Sequence, residues 1–262
     1  MSYKYQDIEI KNKDGICLIT LNRPDRRNAI APNIRKELID IFKRIQHDNE
    51  ISVVILTGKG NAFSAGGDLK YLQTIGTSIE GRKRMKDGQE LLLAMLELDK
   101  PIIGAVNGVA VGAGFSLALA CDIIIASESA LFFQSFTKVG AVPDLGGAYF
   151  LSQLLGPYLA KKIMFLGEKI SVKQAFDLHI VNNICSEENL MEEAYLIAKQ
   201  LANGAGTAIG LTKQLINKSI NGSLQEVLEL EAIYQGVCFE TDDFKEGVSS
   251  FLEKRSPIFS GK

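Results

Sequence analysis

From Ile102 to Cys121 the chain carries no charged side chain, which limits that stretch to a membrane or a protein interior. Its length alone would suit a transmembrane helix. Gly104, Asn107, Gly108, Gly112 and Gly114 interrupt it, however, and its character changes from β-branched to Ala/Leu-rich halfway along. A buried strand, a glycine turn and a buried helix fit that pattern; one membrane helix does not. A strand apolar on both sides belongs inside a sheet covered by helices, so the segment predicts an α/β architecture. Val53-Val54-Ile55-Leu56-Thr57 repeats the signature.

The remaining pattern agrees with this class. Strands are expected at 8–11 and 16–21, joined across Asp14-Gly15, and again at 122–126 and 131–133. Between them, a helix over 31–48 has Pro32 in its first turn and the stripe Ile34, Leu38, Ile41, Ile45. Another helix covers 79–98, while 22–28 and 58–68 read as loops and helical pattern resumes near Leu69. Beyond Leu145 the pattern is almost wholly helical: 145–155, 158–165, 172–176, 187–202, 208–220, 224–238 and a short piece at 244–252. The expected organisation is a core over 1–200 followed by a helical region over 201–262.

Bulk properties exclude several function classes. A length of 262 residues suits one large core, and a net charge of −2 gives no reason to expect nucleic acid as the main partner. Cys17, Cys121, Cys185 and Cys238 form no CxxC pair and the chain has only two histidines, which argues against a zinc site and a disulfide framework. Free thiols and a polar start from Met1 to Lys11 lead to the expectation of a cytoplasmic protein without a metal.

Two strands lead into small-residue loops that open helices: Val53–Thr57 into Ala62-Phe63-Ser64-Ala65-Gly66-Gly67-Asp68, and Ile102–Val106 into Asn107–Gly114. Such loops let a ligand approach backbone N–H groups, and two facing loops could aim two donors at one developing oxyanion. Glycines that merely allow close packing would look the same. Neither a dinucleotide fingerprint nor a phosphate-binding loop is present. A serine hydrolase built on Ser64 would need a histidine, and neither His47 nor His179 adjoins a catalytic motif.

Several segments together resemble the crotonase, or enoyl-CoA hydratase/isomerase, superfamily. They are Leu21-Asn22-Arg23-Pro24 with Asn28-Ala29, Ala62 through Leu69, Pro101 through Asp122, Val142-Pro143-Asp144-Leu145-Gly146-Gly147, and the tail from Glu246 to Arg255. The resemblance spans essentially the whole chain. It implies a spiral of ββα units with a C-terminal helical trimerisation region, assembled as a homotrimer or a dimer of trimers. It further implies an acyl-CoA substrate, with coenzyme A as part of that substrate and no other cofactor required.

By the family pattern Ala65 and Ala113 would supply the oxyanion-hole N–H groups. Asp68 and Asp122 match the pattern as loop-fixing residues. Arg26, Arg27, Ala29, Ala65, Gly66, Gly67, Asp68 and Leu69 would contact the coenzyme, as would Phe251 and Lys254, in some members from a neighbouring subunit. Hydratases of the family use two glutamates, and this chain carries Ser116 and Phe136 at those places. Asp144 resembles the single aspartate of the isomerase branches, and the tail is most similar to the branch that isomerises a ring epoxide in phenylacetate breakdown. One carboxylate can move a proton from carbon to carbon while an enolate is held. Phe133, Phe136, Val142 and Leu145 are expected to raise its pKa, although Asp144 would also suit an N-cap for a helix starting at Leu145. The expectation is therefore an acyl-CoA isomerase with Asp144 as acid/base. A hydratase with unusual acids, a dehalogenase using Asp144 as nucleophile, and a non-catalytic CoA- or RNA-binding homologue are the alternatives.

Overall fold

The computed structural model describes residues 5–261. β1 (Ile8–Lys13) and β2 (Ile16–Leu21) form an antiparallel hairpin, and Asp14 and Gly15 make its turn with φ of 52° and 76°. From β2 onward the large sheet is parallel: β3 (Val53–Gly58), β5 (Ile102–Val106), β7 (Ile123–Ser127) and β10 (Asn183–Cys185) follow in order. Every residue of β3 and β5 is buried, as their unbroken apolar runs require.

A second sheet lies beside the first, ordered β4 (Ala62–Ser64), β6 (Val109–Val111), β8 (Leu131–Phe133) and β9 (Ile170–Ser171). The sequence pattern assigns β4 and β6 to loops, because each is three residues long within a stretch rich in small residues and glycine, unlike the Leu-Phe-Phe of β8. They give the fold its repeat. The pairs β3/β4, β5/β6 and β7/β8 each place one strand in each sheet and then pass into a helix, the ββα unit expected of the spiral.

Helices close the faces. α1 (Pro32–Gln46) starts at a proline and buries Ile34, Leu38, Ile41, Phe42 and Ile45. α2 (Leu69–Leu72) is a single turn, and α3 (Ser78–Leu96) begins with a capping box between Thr77 and Glu80 and packs against α1. α4 (Ala113–Leu119) is buried through six of its seven residues. The two helices expected at 145–155 and 158–165 are both present along α5 (Gly147–Leu166), which breaks between them at Gly156 (φ 73°, ψ 163°) ahead of Pro157. After α6 (Val172–Asp177), α7 (Leu190–Ala202) lays Leu190, Ala194 and Ala198 over Ile16, Val53, Ile55, Ile103 and Ile125 of the large sheet. Helices α8 (Gly206–Ser219), α9 (Leu224–Glu240) and α10 (Asp242–Glu253) complete the chain. Among the described residues no helix is long and apolar enough to cross a membrane.

Candidate active site

The loop after β4 is held by a chain of hydrogen bonds that use up most of its amides. Asn28 is fully buried at φ 54° and donates from Nδ2 to the carbonyls of Lys59 and Ala62 at 3.0 and 2.8 Å. Ser64 Oγ donates to the Asn28 carbonyl at 2.8 Å and accepts the Gly66 N–H at 3.2 Å. That hydroxyl is spent on the backbone, so Ser64 is a loop fastener and not a nucleophile. The Asp68 N–H goes to the Ile30 carbonyl at 3.3 Å.

Ala65, the expected oxyanion donor of this loop, gives its N–H to the Arg27 carbonyl at 2.8 Å. That amide is occupied, which corrects the expectation. Between Ala65 and Asp68 the amide left without an acceptor among the described residues is that of Gly67. Ala113 fits its expected place better. It is the first residue of α4, where helix geometry supplies no carbonyl to its N–H, and no other acceptor among the described residues reaches it. The two loops touch: a Cβ on Gly66 would lie 2.4 Å from the Val111 carbonyl oxygen and 3.4 Å from the Ala113 nitrogen. A Cβ on Gly114 would lie 2.4 Å from the Ser64 carbonyl oxygen. Close packing and open donors are thus two results of the same glycines.

Asp144 lies on the turn before α5. The N-cap of α5 is Gly146 with no side-chain cap, so the capping role open to Asp144 is not taken and the helix begins two residues later than expected. Its carboxylate points instead into the protein, where Oδ2 accepts from Arg84 Nη2 at 3.4 Å and Oδ1 has no hydrogen-bond partner among the described residues. Burial raises its pKa above the usual carboxylate value, and the charges of Arg84 and then Arg35 act against that rise. Val142, expected among its apolar neighbours, is 77% exposed and cannot shield it.

Arg84 is the residue that sequence reasoning missed. Its helix reads as charged, yet Arg84, Gly88, Leu91 and Met95 form the buried stripe of α3 at helical spacing, which was the available signal. Arg84 Nη2 lies 3.3 Å from where a Gly67 Cβ would stand and 3.4 Å from Asp144 Oδ2, so one nitrogen adjoins both residues. Behind it, the buried Arg35 donates to the Arg84 carbonyl at 3.3 Å and hydrogen-bonds Tyr71. Burial, then the nearby Arg84 charge, lowers the Arg35 pKa.

The remaining predicted residues divide clearly. Ser116 is fully buried, donates to the Gly112 carbonyl at 3.2 Å and accepts from Gln134 at 3.3 Å. The Phe136 ring lies 3.5 Å from a Cβ position on Gly112, so both residues adjoin the Ala113 loop and neither is acidic. Asp68 caps α2 through the Lys70 and Tyr71 amides and pairs with Arg23 at 3.2 Å, a loop-fixing role. Those amides and Arg23 lower its pKa although burial alone would raise it. Asp122 accepts the Ile102 N–H at 2.7 Å and pairs with Lys213 at 2.8 Å. Arg26 and Arg27 are exposed, the Arg27 carbonyl holding the Ala65 amide; Ala29 is buried and Leu69 is exposed. Phe251 and Lys254 are not brought to this place. They sit at the end of α10, where Phe251 shares a groove with Ala208, Phe244 and Phe259.

Comparison with known proteins agrees with this geometry. The family described as enoyl-CoA hydratase/isomerase matches residues 11–262. The chain is 37% identical over 256 residues to the 1,2-epoxyphenylacetyl-CoA isomerase of Escherichia coli, covering 95% of this chain and 96% of that protein. It is also 37% identical over 248 residues to the short-chain-enoyl-CoA hydratase of Clostridium acetobutylicum, covering 94% and 95%. Among solved structures, an enoyl-CoA hydratase from Polaromonas superposes with a TM-score of 0.93 at 33% identity, covering 97% of this chain and 99% of that one. The chain belongs to the enoyl-CoA hydratase/isomerase family of the crotonase superfamily.

Proposed function

We propose that the protein is an acyl-CoA isomerase in which Asp144 carries the proton and the Gly67 and Ala113 amides hold the thioester oxygen. The observation that carries this reading is the buried Asp144 carboxylate, with Oδ1 unbonded among the described residues and Oδ2 paired with Arg84, whose Nη2 also adjoins Gly67. In the reaction Asp144 takes a proton from the α- or γ-carbon. The C–H electron pair forms a new C=C bond, and negative charge moves to the thioester oxygen, where two N–H donors stabilise it. The same carboxyl returns the proton to the carbon at the other end of the system, so nothing is gained or lost. Hydration would need a second group to position and deprotonate water, and Ser116 and Phe136 stand where the family's hydratases place glutamates. The exposed Arg26 and Arg27 suit the phosphates of the coenzyme.

The test follows crotonyl-CoA hydration and Δ3-enoyl-CoA isomerisation in parallel. Isomerisation is expected to dominate, and Asp144→Asn to lower its kcat by a factor on the order of 10²–10⁴, the range for losing a general acid–base. Fast hydration that survives Asp144→Asn would overturn the assignment.

A further inference from the structure

Two helices reach the site, α4 with the Ala113 amide and α3 with Arg84, and one side chain fastens the far ends of both. Just beyond the end of α4, Asp122 Oδ2 accepts the Ile102 N–H at 2.7 Å and Lys213 Nζ at 2.8 Å. α3 ends at Leu96, where its last carbonyls find no partner within the helix. Lys213 Nζ donates to the Met95 carbonyl at 3.1 Å and to that of Lys100 at 3.2 Å. One turn along α8, Gln214 and Asn217 each donate to the Leu96 carbonyl at 3.2 Å. The three protons of the Lys213 ammonium thus go to the end of α3, the segment entering β5 and the segment leaving α4.

This joint is tight and polar. Gly210 and Lys213 are the two buried residues of α8, and a Cβ on Gly210 would lie 2.5 Å from the Asp99 carbonyl oxygen. Lys213 is 8% exposed. Any shift of α3 or α4 against it would strip a buried charge of a partner, so the ammonium resists sliding as an apolar side chain could not. An intact helix carries a displacement at one end to the other. At the helical rise per residue, the joint stands about 17 Å from Arg84 along α3 and about 10 Å from Ala113 along α4. Arg84 in turn meets Asp144 at 3.4 Å.

We propose that Lys213 is a positioning residue that sets the Ala113 amide and the Arg84 guanidinium relative to each other across the Asp144 carboxyl. It acts through α4 and α3 and touches neither group itself. The inference rests on the reading of the Ala113 amide as a donor to the thioester oxygen.

The experiment follows two quantities in the full chain: Δ3-enoyl-CoA isomerisation, and the infrared carbonyl stretch of bound butyryl-CoA isotopically labelled at the thioester carbon. In wild type the bound carbonyl is expected at a lower frequency than in free butyryl-CoA, since N–H donors polarise it. Lys213→Met should leave KM within about threefold and lower kcat by a factor on the order of 10–10², the loss that a displacement near 1 Å brings. The same variant should return the carbonyl stretch towards its free frequency, and Lys213→Arg, still charged, should recover part of both effects. A folded Lys213→Met with wild-type kcat and carbonyl frequency, or a loss confined to thermal stability, overturns the proposal. Should Lys213→Met fail to fold, Lys213→Met combined with Asp122→Asn removes both charges of the pair and is read in the same way. Absence of isomerisation in wild type, with a lowered carbonyl frequency that Lys213→Met abolishes, would overturn the isomerase reading and leave Lys213 its role. A wild-type carbonyl at its free frequency would overturn both.

Discussion

Asp144 is governed by two opposed effects. Its side chain is 10% exposed, so loss of hydration favours the neutral acid, while the Arg84 guanidinium favours the carboxylate. Burial wins, and the group titrates above an ordinary aspartate. If Asp144 acts first as a base, kcat/KM must fall as pH is lowered through that raised pKa. Removing the Arg84 charge takes away a group that lowers the pKa, so in Arg84→Met the acidic limb should move to higher pH. A pH–rate profile of kcat/KM for wild type and variant reads this directly; a limb that moves to lower pH, or stays in place, would separate Arg84 from the titration of Asp144.

At the scale of elements, glycine decides how closely the units of the spiral can approach. Gly114 opens α4 against the Ser64 backbone with no room for a methyl group. Gly114→Ala is expected to lower stability by about 1–3 kcal/mol, the usual cost of overpacking, and to reduce activity as the Ala113 amide is pushed off its loop. Gly81 is the contrast. It lies inside α3, where a Cβ would meet nothing nearer than the Ile75 methyl at 3.9 Å. Gly81→Ala should raise stability by about 0.5–1 kcal/mol, because only chain entropy changes. Thermal and denaturant unfolding of the two variants gives opposite signs if packing, and not composition, sets these positions. Elsewhere a single charged pair joins distant elements: the buried Lys213 of α8 holds Asp122 as well as the Met95 and Lys100 carbonyls.

For the whole molecule, the C-terminal helices pose a surface problem. Helix α9 buries none of its residues within the chain, although Leu224, Leu228, Ile233, Val237 and Phe239 are large and apolar. Exposed apolar area of this extent marks an interface. The protein is expected to self-associate, with a trimer or a pair of trimers the reading drawn from the family, and light scattering would give the mass. Leu228→Asp with Val237→Asp should shift that mass towards a single chain. A wild-type mass equal to one chain would remove the argument.

The sequence by itself determined the class of fold and singled out the two loops and Asp144, because these depend on local patterns. Unbroken apolar runs made β3 and β5 central strands, glycines after them marked the two loops, and Asp144 stood out as an acid in an otherwise apolar turn. It did not show β4, β6 or β10, because those three-residue strands lie in small-residue or polar stretches, whereas β8, equally short, carries bulky apolar residues. Nor could it show which amide in 65–68 stays open. Hydrogen bonds from Ala65 to Arg27 and from Asp68 to Ile30, formed across more than thirty residues of sequence, leave the Gly67 amide open among the described residues. The role of Arg84 was likewise set by packing alone. A charged residue on a charged helix looks solvated until the helix is docked, and only the docked helix turns that face towards Asp144.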